Sequence, residues 1–232
     1  MGISKLAVVG ATGNVGREML NILSERNFPC EEVIALASER SEGDAVPFGN
    51  KELIVQSLSS YDFSETSIAL FSAGGKISEV YGPIAAEQGC SCIDNSSKFR
   101  MDNDVPLIVP EVNIEMLEHY RTTNIIANPN CSTIQMVVAL KPLEDLASIN
   151  RINVSSYQST SGAGKVAMEE LFNQTKGIFS NQEVQPESFT KQISFNVIPQ
   201  IGPFLENGNT EEEQKMINET KKIMRPDILI NA

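Results

Sequence analysis

Apolar and polar positions along the chain switch between two rhythms. Residues 4–9 form a short, nearly unbroken apolar run, and residues 17–26 then carry Met19, Leu20, Ile22 and Leu23 at helical spacing. Strands are predicted at 33–38, 52–58, 68–72 and 91–94, with a helix at about 77–88. A further strand ends at Ile125-Ile126-Ala127. The turn Asn128-Pro129-Asn130 follows, then Cys131, then a helix with Ile134, Val137, Val138 and Leu140 inward and Ser132 or Thr133 as its N-cap. Strands alternating with helices through about residue 128 predict an open, largely parallel, doubly wound α/β sheet.

Beyond Cys131 the pattern changes. Residues 151–158 alternate as a strand, and 165–174 read as a helix with Val166, Met168, Leu171 and Phe172 inward. Residues 179–201 are mostly loop, 203–209 a turn, and Thr210-Glu211-Glu212-Glu213 opens a capped helix running to about Met224. Residues 227–230 begin another strand. Neither an internal repeat nor a low-complexity linker interrupts this order.

Composition narrows the classes. With 232 residues, 41% hydrophobic and 21% charged, the chain has room for one large domain or two modest ones. A net charge of −12 argues against a general nucleic-acid binder, and no apolar run has the length of a membrane span. Residues 1–9 hold one Lys and enter a strand directly, so no signal peptide is expected. The four cysteines are expected to be reduced thiols in the cytoplasm, and Cys90 and Cys92, two apart on a strand, lack metal-site spacing. The one histidine, His119, falls in an amphipathic segment and reads as a solvated position.

Three stretches carry chemistry. Gly10-Ala11-Thr12-Gly13-Asn14-Val15-Gly16 sits between a strand and a helix. Its glycine spacing suits a tight turn, close backbone approach to a pyrophosphate, and phosphate at a helix N-terminus. Ser38-Glu39-Arg40-Ser41 ends the next strand, where an adenosine ribose would lie. Arg40 between two hydroxyls favours a 2′-phosphate and hence NADP, whereas Glu39 would take a free ribose hydroxyl or pair with Arg40. Cys131, on a turn at a helix N-terminus, meets unpaired N–H groups and the positive end of the dipole, which favour thiolate; a small buried thiol is the alternative. The turns at Gly10, Ser72, Asn95 and Asn128 all fall at the carboxyl edge of the predicted sheet, where such folds bind ligands.

With these motifs in view, the chain resembles the bacterial aspartate-semialdehyde dehydrogenases. The stretches that carry the likeness are GATGNVGREML, ALASERS, DNSSKFRMD, VPEVN, ANPNCSTIQ, SYQSTSGAGK, FNVIPQIG and EEEQKMINETKKI, in order along almost the whole chain. The resemblance implies a Rossmann-like NADP-binding domain over 1–128 and a catalytic and dimerisation α+β domain over 129–232, the latter incomplete at its C-terminal end. It implies NADPH-dependent reductive dephosphorylation of aspartyl β-phosphate to aspartate β-semialdehyde, in lysine, threonine, methionine and diaminopimelate biosynthesis, by a homodimer without nucleic-acid or membrane partners. Cys131 would be the nucleophile and Gln158 would hold the acyl intermediate. Arg100, Asn130 and Lys215 would bind phosphate and Glu212 the substrate ammonium, with Ser161 and Gly162 beside the substrate. Gly10, Thr12, Gly13, Asn14, Val15, Gly16, Ser72 and Gly74 would line the cofactor, and Ser38, Arg40 and Ser41 its 2′-phosphate.

The family's general-base histidine and its carboxylate-binding arginine have no counterpart in these residues, so the chain as given is expected to turn over little. The related N-acetyl-glutamyl-phosphate reductases and a non-catalytic NADP-binding module are the alternatives; Glu212 and the ALASERS stretch speak against the first.

Overall fold

The computed structural model describes residues 3–232. Strand β1 (Ile3–Val9) enters helix α1 (Asn14–Glu25), followed by β2 (Cys30–Ala37), β3 (Ala45–Phe48), β4 (Lys51–Ile54), β5 (Gln56–Ser57) and β6 (Ile68–Phe71). Helix α2 (Gly75–Glu87), β7 (Ser91–Asp94), α3 (Pro110–Asn113), β8 (Ile125–Ala127) and α4 (Cys131–Leu146) come next. The chain closes with β9 (Arg151–Asn153), α5 (Lys165–Ser180), α6 (Glu211–Ile223) and β10 (Leu229–Asn231).

Six strands pair in the order β5-β2-β1-β6-β7-β8, every ladder parallel. The chain runs outward from β1 on one side and then returns to build β6, β7 and β8 on the other. The topological switch point therefore lies between the carboxyl ends of β1 and β6, the predicted doubly wound arrangement. The apolar run in β1 is continuous because both faces of the sheet are covered. Leu6 and Val8 pack with Leu20 of α1, whereas Ala7 and Val9 join Phe71, Phe63 and Ala85 on the opposite face.

The stretch predicted as one strand over 52–58 is divided. β3 and β4 form a separate antiparallel hairpin closed at Gly49-Asn50, where Gly49 has φ +59°, and only Gln56 and Ser57 extend the main sheet. Glycine and asparagine at a two-residue connection are the hairpin chemistry.

The chain divides into two compact units: residues up to Arg151 with Met216–Leu229, and Ile152–Lys215 with Ile230–Ala232. The division thus falls later than residue 128, because α4 packs with the first sheet through Val137. The second half of α6 also belongs to the first unit, where Ile223 enters the core. The expected strand over 151–158 shortens to β9, which pairs with β10.

In the second unit α5 buries the opposite face from the one predicted. Val166, Met168 and Phe172 are exposed and Leu171 is half-buried, while Ala167, Glu170, Gln174 and Gly177 are covered. The polar pair is satisfied by loop backbone. Glu170 accepts from the N–H groups of Glu187 and Ser188, and Gln174 Oε1 accepts from those of Ile193 and Ser194 while its amide donates to Glu170. Irregular chain over 182–200 needs acceptors for its buried N–H groups, and these two side chains supply them. α6 opens with the reciprocal capping box foreseen in the sequence: Glu213 Oε2 accepts from Thr210 N–H at 2.6 Å, and Thr210 Oγ1 from Glu213 N–H at 3.3 Å. Among the described residues no helix is long and apolar enough to cross a membrane.

Candidate active site

At the switch point the glycine loop is shaped by close backbone contacts. Gly10 has φ +88°, and its N–H and that of Ala11 both donate to the Leu36 carbonyl. A Cβ on Gly16 would stand 2.1 Å from the Gly10 carbonyl oxygen, so α1 crosses the loop at a distance only glycine permits. Gly13 is the N-cap of α1, and Gly13, Asn14 and Val15 are exposed at its start. A helix leaves its first N–H groups without intrahelical acceptors, so this end is suited to an anion. On the neighbouring strand Ser72 donates to the Val9 carbonyl, tying the two turns together, and Gly74 at φ +89° caps α2 with open space about it. Thr12 is half-buried, and the Arg17 guanidinium donates to its carbonyl. This geometry fits a dinucleotide pyrophosphate laid across the switch point.

After β2, Ser38 precedes a 3₁₀ turn over Glu39–Ser41 in which Arg40 is exposed. Glu39 accepts from Ser59 Oγ at 2.7 Å, which turns its carboxylate toward the segment after β5.

The cysteine turn lies at the carboxyl end of β8. Asn130, not Ser132 or Thr133, is the N-cap of α4: its backbone is extended (φ −61°, ψ 144°). Its side-chain oxygen accepts from Ser132 N–H at 2.9 Å and Thr133 N–H at 3.4 Å. Cys131 is consequently the first helical residue and is exposed, with its sulfur at the positive end of α4. The other thiols differ. Cys30 is half-buried and raised by burial, while Cys90 and Cys92 are buried, Cys92 being pushed well above the ordinary thiol range by the adjacent Cys90 and by burial.

Behind the cysteine turn the loop after β7 is held in a polar web. Asp94 accepts from Ser78 Oγ, Ser96 Oγ and Ser96 N–H, and Asn128 donates to Asn95 Oδ1. Arg100, at the end of this loop, is only 7% exposed. Its guanidinium donates to the carbonyls of Asn128 (2.9 Å) and Asn95 (3.0 Å) and to Glu219 Oε1 (2.9 Å). The other oxygen of Glu219 accepts from Asn130 N–H at 2.7 Å. Glu219 was not among the candidates from the sequence. The signal was present: it shares one face of α6 with Met216, Thr220 and Ile223, an acid on an apolar stripe.

In the second unit Gln158 is half-buried and lies against Gly162: a Cβ there would stand 2.5 Å from both Cδ and Nε2 of Gln158. Ser161 is exposed and hydrogen-bonded to Ser159. Lys215 pairs with Glu211 at 3.1 Å and with Glu212 at 3.7 Å, and the Glu212 side chain is largely covered. His119 is exposed in a 3₁₀ stretch over Ile114–Thr122 of the first unit. Among the described residues no group of His, Cys, Asp and Glu is arranged to hold a metal ion.

The comparisons with known proteins agree with this geometry. The model for the semialdehyde dehydrogenase NAD binding domain matches residues 5–120, and that for the semialdehyde dehydrogenase dimerisation domain matches residues 140–231. The chain is 53% identical over 227 residues to aspartate-semialdehyde dehydrogenase 2 of Vibrio cholerae, covering 97% of this chain and 67% of that protein. It is 52% identical over 225 residues to the aspartate-semialdehyde dehydrogenase of a Shewanella species, again covering 97% and 67%. A crystal structure of aspartate semialdehyde dehydrogenase II from Vibrio cholerae, complexed with ASA, matches with a TM-score of 0.96 at 52% identity, covering 99% of this chain and 68% of that one. The chain thus spans about two thirds of the length of these relatives. On sequence, fold and the cysteine turn alike, the chain belongs to the aspartate-semialdehyde dehydrogenase family.

Proposed function

We propose that the protein carries out the NADPH-dependent reductive dephosphorylation of aspartyl β-phosphate to aspartate β-semialdehyde, a step of amino-acid biosynthesis, through a thioester on Cys131. The observation that carries this reading is the exposed Cys131 at the N-terminus of α4, on the carboxyl edge of a sheet whose switch point is shaped for a dinucleotide. The thiolate attacks the acyl carbon, the carbon–oxygen bond to phosphate breaks, and inorganic phosphate departs. Bound NADPH supplies the hydride that reduces the acyl group. Collapse of the resulting hemithioacetal returns the electron pair to sulfur and frees the aldehyde.

The remaining residues take supporting roles. Arg100, Asn130 and Lys215 bind phosphate, Glu212 takes the substrate ammonium, with Ser161 and Gly162 beside it, and Gln158, seated on Gly162, holds the acyl group. The first unit binds NADP through the Gly10–Gly16 loop, Ser72 and Gly74, with Ser38, Arg40 and Ser41 around the 2′-phosphate, and carries Cys131; the second supplies Gln158, Glu212 and Lys215 and the dimerisation surface. NADP is favoured over NAD because Ser59 engages Glu39, the residue that would otherwise take a ribose hydroxyl. A homodimer is supported by the exposed Val166, Phe172, Phe179, Phe195 and Val197 of the second unit, within the match to a dimerisation domain. The four free cysteines accord with a reducing cytoplasm. Mixing the chain with aspartyl β-phosphate should release a burst of inorganic phosphate equal to the protein present. Absence of the burst, or its persistence in Cys131→Ser, would overturn the reading.

A further inference from the structure

The buried carboxylate of Glu219 stands out because both of its oxygens are committed to the reaction centre. The side chain is 2% exposed, and it reaches no solvent that could satisfy it. One oxygen takes Arg100 Nη1 and the other the N–H of Asn130, the residue that caps α4 and precedes Cys131. Three residues along the same helix, Lys222 grips the backbone of the Arg100 loop. Its ammonium donates to the carbonyls of Arg100 (2.8 Å), Asp102 (2.7 Å) and Val105 (2.9 Å). Positions three apart on a helix share a face, so α6 holds Arg100 by its side chain and its carbonyl at once.

We propose that Glu219 is a positioning residue for the reaction, its carboxylate fixing the Arg100 guanidinium and the Asn130–Cys131 turn in one register from α6. The part of this that concerns phosphate rests on the role given above to Arg100; the part that concerns the cysteine turn does not. The chemistry requires a carboxylate. Two donors converge on it, one from a guanidinium and one from a backbone amide, and each takes its own oxygen. Glutamine offers one oxygen and an amide that is itself a donor. In Glu219→Gln one of the two contacts therefore becomes donor against donor, and either Arg100 or the turn must move. A carboxylate that served only to neutralise buried Arg100 would not need to reach the Asn130 amide as well.

The test uses the full 232-residue chain. Cys131 is alkylated with iodoacetamide and read by peptide mass, alone and with increasing inorganic phosphate, and thermal unfolding is followed in parallel. In Glu219→Gln the Cys131 alkylation rate should change by about threefold or more, and the phosphate concentration that half-protects Cys131 should rise by about tenfold or more. In an Arg100→Ala background Glu219→Gln should raise that concentration by a smaller factor than it does in the unmutated chain, since part of its effect passes through Arg100. An alkylation rate and a phosphate protection both unchanged by Glu219→Gln, with only the unfolding midpoint lowered, would mean a purely structural role and overturn the proposal. Should phosphate protect neither the unmutated chain nor the variants, the role of Arg100 in binding phosphate falls. The alkylation rate then decides the positioning of the turn, an unchanged rate overturning it. If Glu219→Gln does not fold, Glu219→Asp, which keeps the charge but withdraws it by one methylene, replaces it with the same outcomes.

Discussion

Asn130 performs two tasks in this account, and two substitutions separate them. Its side-chain oxygen accepts from Ser132 N–H at 2.9 Å and, more weakly, from Thr133 N–H at 3.4 Å, while its amide group is assigned to phosphate. Asn130→Ala removes the acceptor. An N-cap of this kind contributes about 1 kcal/mol, within a range of about 0.5–2. The upper half of that range applies, because Thr133 is fully buried and its N–H gains no water in exchange. About 1–2 kcal/mol corresponds, in a chain of this size, to a lowering of Tm by roughly 2–8 °C. Asn130→Ser restores an N-cap oxygen without the amide, and serine is among the best N-caps, so its stability should lie within about 0.5 kcal/mol of the unmutated chain. Urea unfolding followed by far-ultraviolet circular dichroism gives both numbers, the chain having no tryptophan. Phosphate protection of Cys131 against iodoacetamide reads the second task and should weaken in both variants. If Asn130→Ala proves as stable as Asn130→Ser, the capping argument is wrong, and with it the placing of Cys131 at the first helical position.

Other consequences are equally open to measurement. Gly16→Ala puts a methyl group 2.1 Å from a backbone oxygen that cannot rotate away, so it should destabilise the chain by about 1–3 kcal/mol and weaken NADPH binding in titration. Arg40→Ala should reduce NADPH affinity far more than NADH affinity; equal affinity of the unmutated chain for the two would show that Glu39 governs the ribose site. Gly162→Ala displaces only the flexible end of Gln158, so stability should change by less than about 1 kcal/mol while acyl transfer to Cys131 slows; unaltered transfer would remove Gln158 from the site. Iodoacetamide should label exposed Cys131 well before buried Cys90 and Cys92, and peptide mapping that reverses this order would contradict the placement of the thiol.

The doubly wound sheet was legible because its strands are buried on both faces and stand out as apolar runs, and because the glycine loop falls between a strand and a helix. The β3–β4 hairpin escaped notice: its strands are short and mixed in polarity, and only Gly49-Asn50 announces the turn. At the cysteine turn Asn130, Ser132 and Thr133 all carry a capping oxygen, and the pattern does not say which has the extended backbone that a cap requires. On α5 the periodicity grouped Val166 and Phe172 with the apolar side, but periodicity cannot tell a face covered by the chain's own loops from one left for another surface. Glu170 and Gln174 took the interior because the loop over 182–200 brings N–H groups that need acceptors. The family resemblance points to Arg100, yet the carboxylate that pairs with it in the interior, Glu219, lies more than a hundred residues away. A contact of that range has no local signature.

The central claim is that Cys131 receives the acyl group. Incubation with aspartyl β-phosphate in the absence of cofactor, rapid acid quench and peptide-level mass spectrometry should find one aspartyl adduct, on the peptide containing Cys131. Hydroxylamine should discharge it, and Cys131→Ser should lack the thioester. An adduct that maps to Cys30, Cys90 or Cys92, or no adduct on a chain that binds NADPH and unfolds cooperatively, would contradict the account.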